Sequence, residues 1–189
     1  NDNMNPCKCP KCLATDEEEG SPAGTLLRFV NAVADDIRED YPDVSIETLA
    51  YQYTRKAPKI TRPRDNVIIR LCSIECCFSH DLGDASCEVN GAFIHDITEW
   101  SKICRRLYIW DYVTDFSYYI PPFPNFRVLR SNMEFFARHN VVGMYPEGNY
   151  QSNSGEFAEL RAYLLAQCMW NPYMTEEAYQ EAIDGMDLE

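Results

Sequence analysis

The stretch NVIIRLCSI, residues 66–74, decides the fold. Its β-branched run is what a buried parallel strand requires, where both faces of the sheet are covered. Reading outward, VSIETLAY (44–51), RLYIWDY (106–112) and VVGMYPEG (141–148) give three more strands. Helical patterns lie between them. TLLRFVNAVADDIREDYP (25–42) repeats Leu26, Val30, Val33 and Ile37 at helical spacing and ends at Pro42. Residues 90–105 place Phe93, Ile97, Trp100 and Cys104 on one face, and NFRVLRSNMEFFARHN (125–140) aligns Phe126, Leu129, Met133 and Phe136. Residues 155–170 form a further helix, and residues 173–189 hold a last, peripheral one. The polar run 16–22 reads as a loop.

Strands alternating with helices predict an α/β domain with a parallel sheet. Right-handed crossovers leave two solutions: an open doubly wound sheet, or part of a (β/α)8 barrel. No GxGxxG and no GxxxxGK[ST] occurs, which weakens the nucleotide-binding version. A full barrel takes about 250 residues, and only four strands are legible. Half a barrel leaves two open edges. The missing strands then belong to a longer parent chain, or the pieces pair between subunits.

The net charge of −13 argues against nucleic acid and anionic membrane surfaces. No run of about 18 apolar residues predicts membrane insertion, and no signal peptide is legible. An acidic chain rich in Tyr and Trp suits neutral ligands such as sugars.

In parallel α/β folds the site gathers at the C-terminal ends of the strands. Those ends carry Tyr51 and Tyr53, then Glu75, then Trp110, Asp111 and Tyr112, then Tyr145, Glu147 and Asn149. If the opening Asn1-Asp2-Asn3 follows an earlier strand, Asp2 and Asn3 join them. None of these ends carries Lys or Arg. Aromatic faces stack on sugar rings, and carboxylates and amides bind hydroxyls. Two carboxylates at suitable spacing can hydrolyse a glycosidic bond. Glu147 and Asp111 are the best acid–base candidates, followed by Glu75 and Asp2.

Nine cysteines punctuate the chain. Cys104 and Cys168 fall on helix faces and read as core. Cys7, Cys9 and Cys12 supply three thiols at close range, and Cys76, Cys77, His80 or Cys87 could supply a fourth zinc ligand if the two loops meet. Structural zinc, disulfides (Cys76 or Cys77 with Cys87, and one pair within 7–12) and free thiols all stay open. No other cofactor is required. A dithiol redox centre is disfavoured, because that motif opens a helix and here an acidic loop intervenes.

Taken together, NDN…CxCPKC, TLAYQYTRKAPK, NVIIRLCSIECCFSHDL, LYIWDYVTDFSYYIPPFPNF and EFAELRAYLLAQCMWNP resemble an uncharacterised bacterial domain of polysaccharide-degrading proteins. That domain is similar to the catalytic barrels of α-glucuronidases and β-hexosaminidases. The resemblance covers about residues 1–172. It implies the C-terminal half of a glycosidase-type (β/α)8 TIM barrel, about four βα units, with NDN just after strand four. It also implies an oligo- or polysaccharide ligand and an extracytoplasmic setting, which favours disulfides.

Overall fold

The computed structural model describes residues 4–151 and 154–186. Among these residues the elements run α1 (Pro10–Glu19), α2 (Ala23–Asp40), β1 (Ile46–Ala50), β2 (Val67–Cys72), α3 (Glu88–Ile103), β3 (Leu107–Tyr112), α4 (Phe126–Arg138), β4 (Val141–Glu147), α5 (Ala158–Trp170) and α6 (Glu176–Asp184). Strands thus alternate with helices from β2 onward, while β1 and β2 are joined by a loop with one 3-10 turn, Gln52–Thr54. The strands form one sheet in the order β1-β2-β3-β4, and every pair is parallel. Each strand therefore lies beside its sequence neighbour, with no reversal of order. Chain order leaves β1 and β4 as the sheet edges.

Side chains alternate between the two faces of a strand. One face carries Val67, Ile69, Leu71, Leu107 and Ile109. It joins a single apolar cluster with Leu27 of α2, Phe93 and Trp100 of α3, Leu129 and Phe136 of α4, and Leu164 of α5. Burying an aliphatic or aromatic side chain of this size contributes about 1.5–3 kcal/mol, so this face holds the domain together. On α2 the buried stripe is Ala23, Leu27, Val30 and Ala34, one residue round from the expected one. Cys104 and Cys168 are core residues, as their helix positions require.

The second face carries Glu47, Arg70, Cys72, Tyr108, Trp110, Tyr112, Tyr145 and Glu147, and none of these belongs to the apolar cluster. An irregularity decides its last members. The register runs Leu107↔Val141 and then Tyr108↔Gly143, so Val142 has no partner. A one-residue slip exchanges the faces of a strand. This bulge turns Tyr145 beside Trp110 and Glu147 beside Tyr112. Gly143 is required here: a Cβ would meet the Tyr108 ring at 2.5 Å.

Two expectations are corrected. The polar run is helix, not loop. Pro10 sits in the first turn of α1 and Gly20 closes it at φ 68°, a start and stop that each residue favours. Glu19 ends fully buried: its carboxylate accepts from the backbone amides of Ile60 and Thr61, the Thr61 hydroxyl and Arg28. It thereby anchors the basic loop 55–64. The last helix is also less peripheral than expected. Met174 and Tyr179 belong to the core cluster, and the Tyr179 hydroxyl donates to the Phe126 carbonyl at 2.6 Å.

Candidate functional site

The C-terminal half of the second sheet face is an aromatic surface with one carboxylate built into it. Trp110 stacks near Tyr112, with centroids 6.5 Å apart and planes 9° from parallel. It meets Tyr145 edge-on at 5.1 Å. The Trp110 indole Nε1 donates to Glu147 Oε2 at 2.7 Å. That bond fixes both the ring and the carboxylate. Tyr145 is 47% exposed, so the surface is open to a ligand.

Arg70 lies behind these rings and was not foreseen as part of the site. Its guanidinium carbon sits 5.8 Å from the ring centroids of Tyr108, Trp110 and Tyr145 alike. Its Nη2 donates to Glu47 at 2.7 Å. A cation within about 6 Å of an aromatic face is attracted to it, so Arg70 holds three rings in place. The signal was present: a charged residue inside an apolar strand, at one position of the alternation.

The other expected residues divide. Asp111 is not beside Glu147. Alternation puts it on the core side, 3% exposed, where Ser73 Oγ donates to its Oδ1 at 2.5 Å. The expected Asp111–Glu147 acid–base pair is therefore corrected: the two carboxylates leave the sheet on opposite faces. Burial pushes the Asp111 carboxyl up to about 6, against the opposing hydrogen bonds from Ser73 and the Tyr112 amide. The folded value lies above the ordinary 3.8. The folded state thus gains most from this group below about pH 4, and loses that gain as pH rises through about 6. Asp111→Asn keeps the Ser73 bond and removes the buried charge. It is expected to raise stability at pH 7 by about 1–3 kcal/mol, measured by urea unfolding; a loss of stability would contradict this placement.

Glu75 stands in the loop after β2 and is held by Arg55 Nη1 at 2.7 Å. Arg55 also binds Asp96 at 2.8 Å, and its carbonyl accepts from Trp100 Nε1. Tyr51 is buried, with its hydroxyl accepting from Gln52. Tyr53 lines a cavity of about 230 Å³ together with Cys7. Asn149 lines another of about 370 Å³ between the ends of β3 and β4 and the start of α5. Buried Arg161 on its wall is satisfied by Glu156 and Asn125. Asp2 and Asn3 lie outside the described residues.

No S–S bond joins any of the nine cysteines in this structure. The two cysteine loops, which could have met at one zinc site, form two separate groups. Cys7, Cys9 and Cys12 have their sulfurs within 4.8 Å of one another, and so do the donor atoms of Cys77, His80 and Cys87, as a separate group. Cys76 belongs to neither: it packs into the core, and burial pushes its thiol up. Cys9 occupies the N-cap position of α1, so Cys9 and Cys12 do open a helix and no acidic loop intervenes. Hydrogen bonds from Cys12 hold the Cys9 thiol down, while Cys12 itself is pushed up to about 12 by its bonds to Cys7 and Cys9. The Ser79 hydroxyl, against burial and with help from His80, holds Cys77 down at about 6.

Fold and site together define a parallel α/β domain whose aromatic, acidic face opens at the strand ends. The chain belongs to the family described as a domain of unknown function, DUF4838, whose model matches residues 1–183. No curated protein and no solved structure matches it. No helix among the described residues is long and apolar enough to cross a membrane.

Proposed function

We propose that this chain is the C-terminal half of a glycosidase-type (β/α)8 barrel and acts on an oligo- or polysaccharide at the second sheet face. The carrying observation is Glu147 fixed by the Trp110 indole inside a cluster of tyrosines. Sequential, all-parallel strand order with helices packed on one face supports this reading, with the departure that β1 is followed by a 3-10 turn and loop in place of a helix. In that reading the second face lines the barrel, and the edges of β1 and β4 pair with the remaining strands of a parent chain or with a second copy.

Trp110, Tyr112 and Tyr145 stack on sugar rings. Glu147 serves as acid–base group. The second carboxylate comes from Glu75, ion-paired by Arg55, or from Asp2. A separation of about 5–5.5 Å in the complete barrel gives retention, and about 6.5–9.5 Å gives inversion. Export of the parent protein is part of the same reading, since polysaccharides are met outside the cytoplasm.

A non-catalytic glycan-binding role is the second reading. It is favoured by the placement of Asp111, which leaves Glu147 without its nearest carboxylate partner. The test is a broad glycan panel offered to the full-length parent protein. Cleavage of at least one glycan supports the enzyme, and binding without cleavage supports the second reading. Neither binding nor cleavage would overturn both.

A further inference from the structure

The loop between β2 and α3, ECCFSHDLGDASC, folds back so that two thiols meet one imidazole. Cys77 Sγ lies 3.2 Å from His80 Nδ1, and Cys87 Sγ lies 3.7 Å from the same nitrogen. One ring nitrogen carries at most one proton or one accepting lone pair. It reaches both thiols only as a shared, three-centre contact, and the Ser79 hydroxyl also lies 3.3 Å from Cys77 Sγ. Tetrahedral zinc, with Zn–S of about 2.3 Å and Zn–N of about 2.05 Å, sets S···N at about 3.6 Å by simple trigonometry. The two observed distances bracket that value. We propose that Cys77, His80 and Cys87 form a self-contained zinc site, with two thiolates, one imidazole and a fourth position open to water.

The surrounding loop is built to hold these donors. Asn90, fully buried, accepts from the Cys77 amide at 2.7 Å and donates to the carbonyls of Cys77 and Asp81. Asp84 accepts from the Ser86 amide and hydroxyl, a tight turn that returns the chain to Cys87. Cys87 occupies the N-cap position of α3, so the helix start fixes its place in the loop. Arg127 on α4 donates to the Ser79 carbonyl and pins the loop from outside. Outer contacts of this kind orient metal ligands. Mixed thiolate and imidazole donors select zinc over the hard cations magnesium and calcium. The site does not depend on the glycan reading.

The test uses the full chain with Cys7, Cys9 and Cys12 changed to Ser, which silences the other thiol cluster. After loading with zinc and gel filtration, elemental analysis is expected to give about one zinc per chain. Cobalt loading is expected to give thiolate charge-transfer bands and the intense visible bands of a tetrahedral ion. His80→Ala, at an exposed position, is expected to remove the metal and leave the circular dichroism spectrum unchanged, and His80→Cys to restore it. Zinc well below one per chain, zinc that survives His80→Ala, or a Cys77–Cys87 disulfide in peptide maps of non-reduced protein would each overturn the proposal.

Discussion

Glu147→Gln is expected to lower glycan turnover by about 10²–10⁴-fold, the usual size of a positioned acid–base contribution. Binding should hardly change. Glutamine is nearly isosteric, and its amide oxygen still accepts from the Trp110 indole, which donates to Glu147 at 2.7 Å. The rings around it therefore keep their arrangement. Only proton transfer and negative charge are lost. Steady-state kinetics of the full-length protein separates the two quantities. A fall in kcat with KM within a few-fold is the expected pattern, because the lost interaction belongs to the transition state. An unchanged kcat would remove Glu147 from the chemistry.

Glu19→Gln is expected to cost about 3 kcal/mol of stability at neutral pH. The carboxylate is fully buried yet bound on every side, by Thr61, Ile60 and Arg28. Burial pushes its carboxyl up. The Thr61 hydroxyl, the two amides and Arg28 outweigh it and hold the group down at about 2, against an ordinary 4.5. That difference is worth about 3 kcal/mol in favour of the folded state. Because the folded value is depressed, the contribution is fully present above about pH 4.5 and is lost as pH falls through about 2. Glutamine keeps one acceptor but turns an NH2 group toward donors, so it both loses charge and leaves partners unmatched. Denaturant midpoints measured from pH 7 down to pH 2 should fall steeply for the wild type across that window and much less for the variant. Parallel curves would show that Glu19 anchors nothing.

The four strands were legible because their apolar, β-branched runs are bounded by turns, and each lies within about two residues of its expected place. Helix α1 was not, because nothing apolar repeats through Asp16–Glu19. Its cues were Pro10 at the start and Gly20 at the end, not its interior. The strand-end list contained Trp110, Tyr112, Tyr145 and Glu147, which the register of β3 and β4 brings to one face. It failed for Asp111, because listing strand ends ignores which way each residue points. Alternation alone would have separated Trp110 from Asp111. Placing Glu147 with Trp110 also needed the bulge at Val142, for which Gly143 inside a strand pattern was the only hint. The cysteines split into two groups because spacing along the chain does not report that Cys7–Cys12 opens a helix while Cys77–Cys87 is drawn round buried Asn90.

The claim that the second sheet face binds a glycan is tested most directly with tryptophan substitutions. Trp110 forms part of that face, whereas Trp170 at the end of α5 is 91% exposed and lies outside it. Isothermal titration of the full-length protein with its best glycan is expected to show Trp110→Ala weakening binding by about fivefold or more, since lost ring stacking is worth about 1 kcal/mol or more. Trp170→Ala should bind as the wild type does. Equal affinity for all three proteins, or a loss confined to Trp170→Ala, would contradict a glycan site on this face.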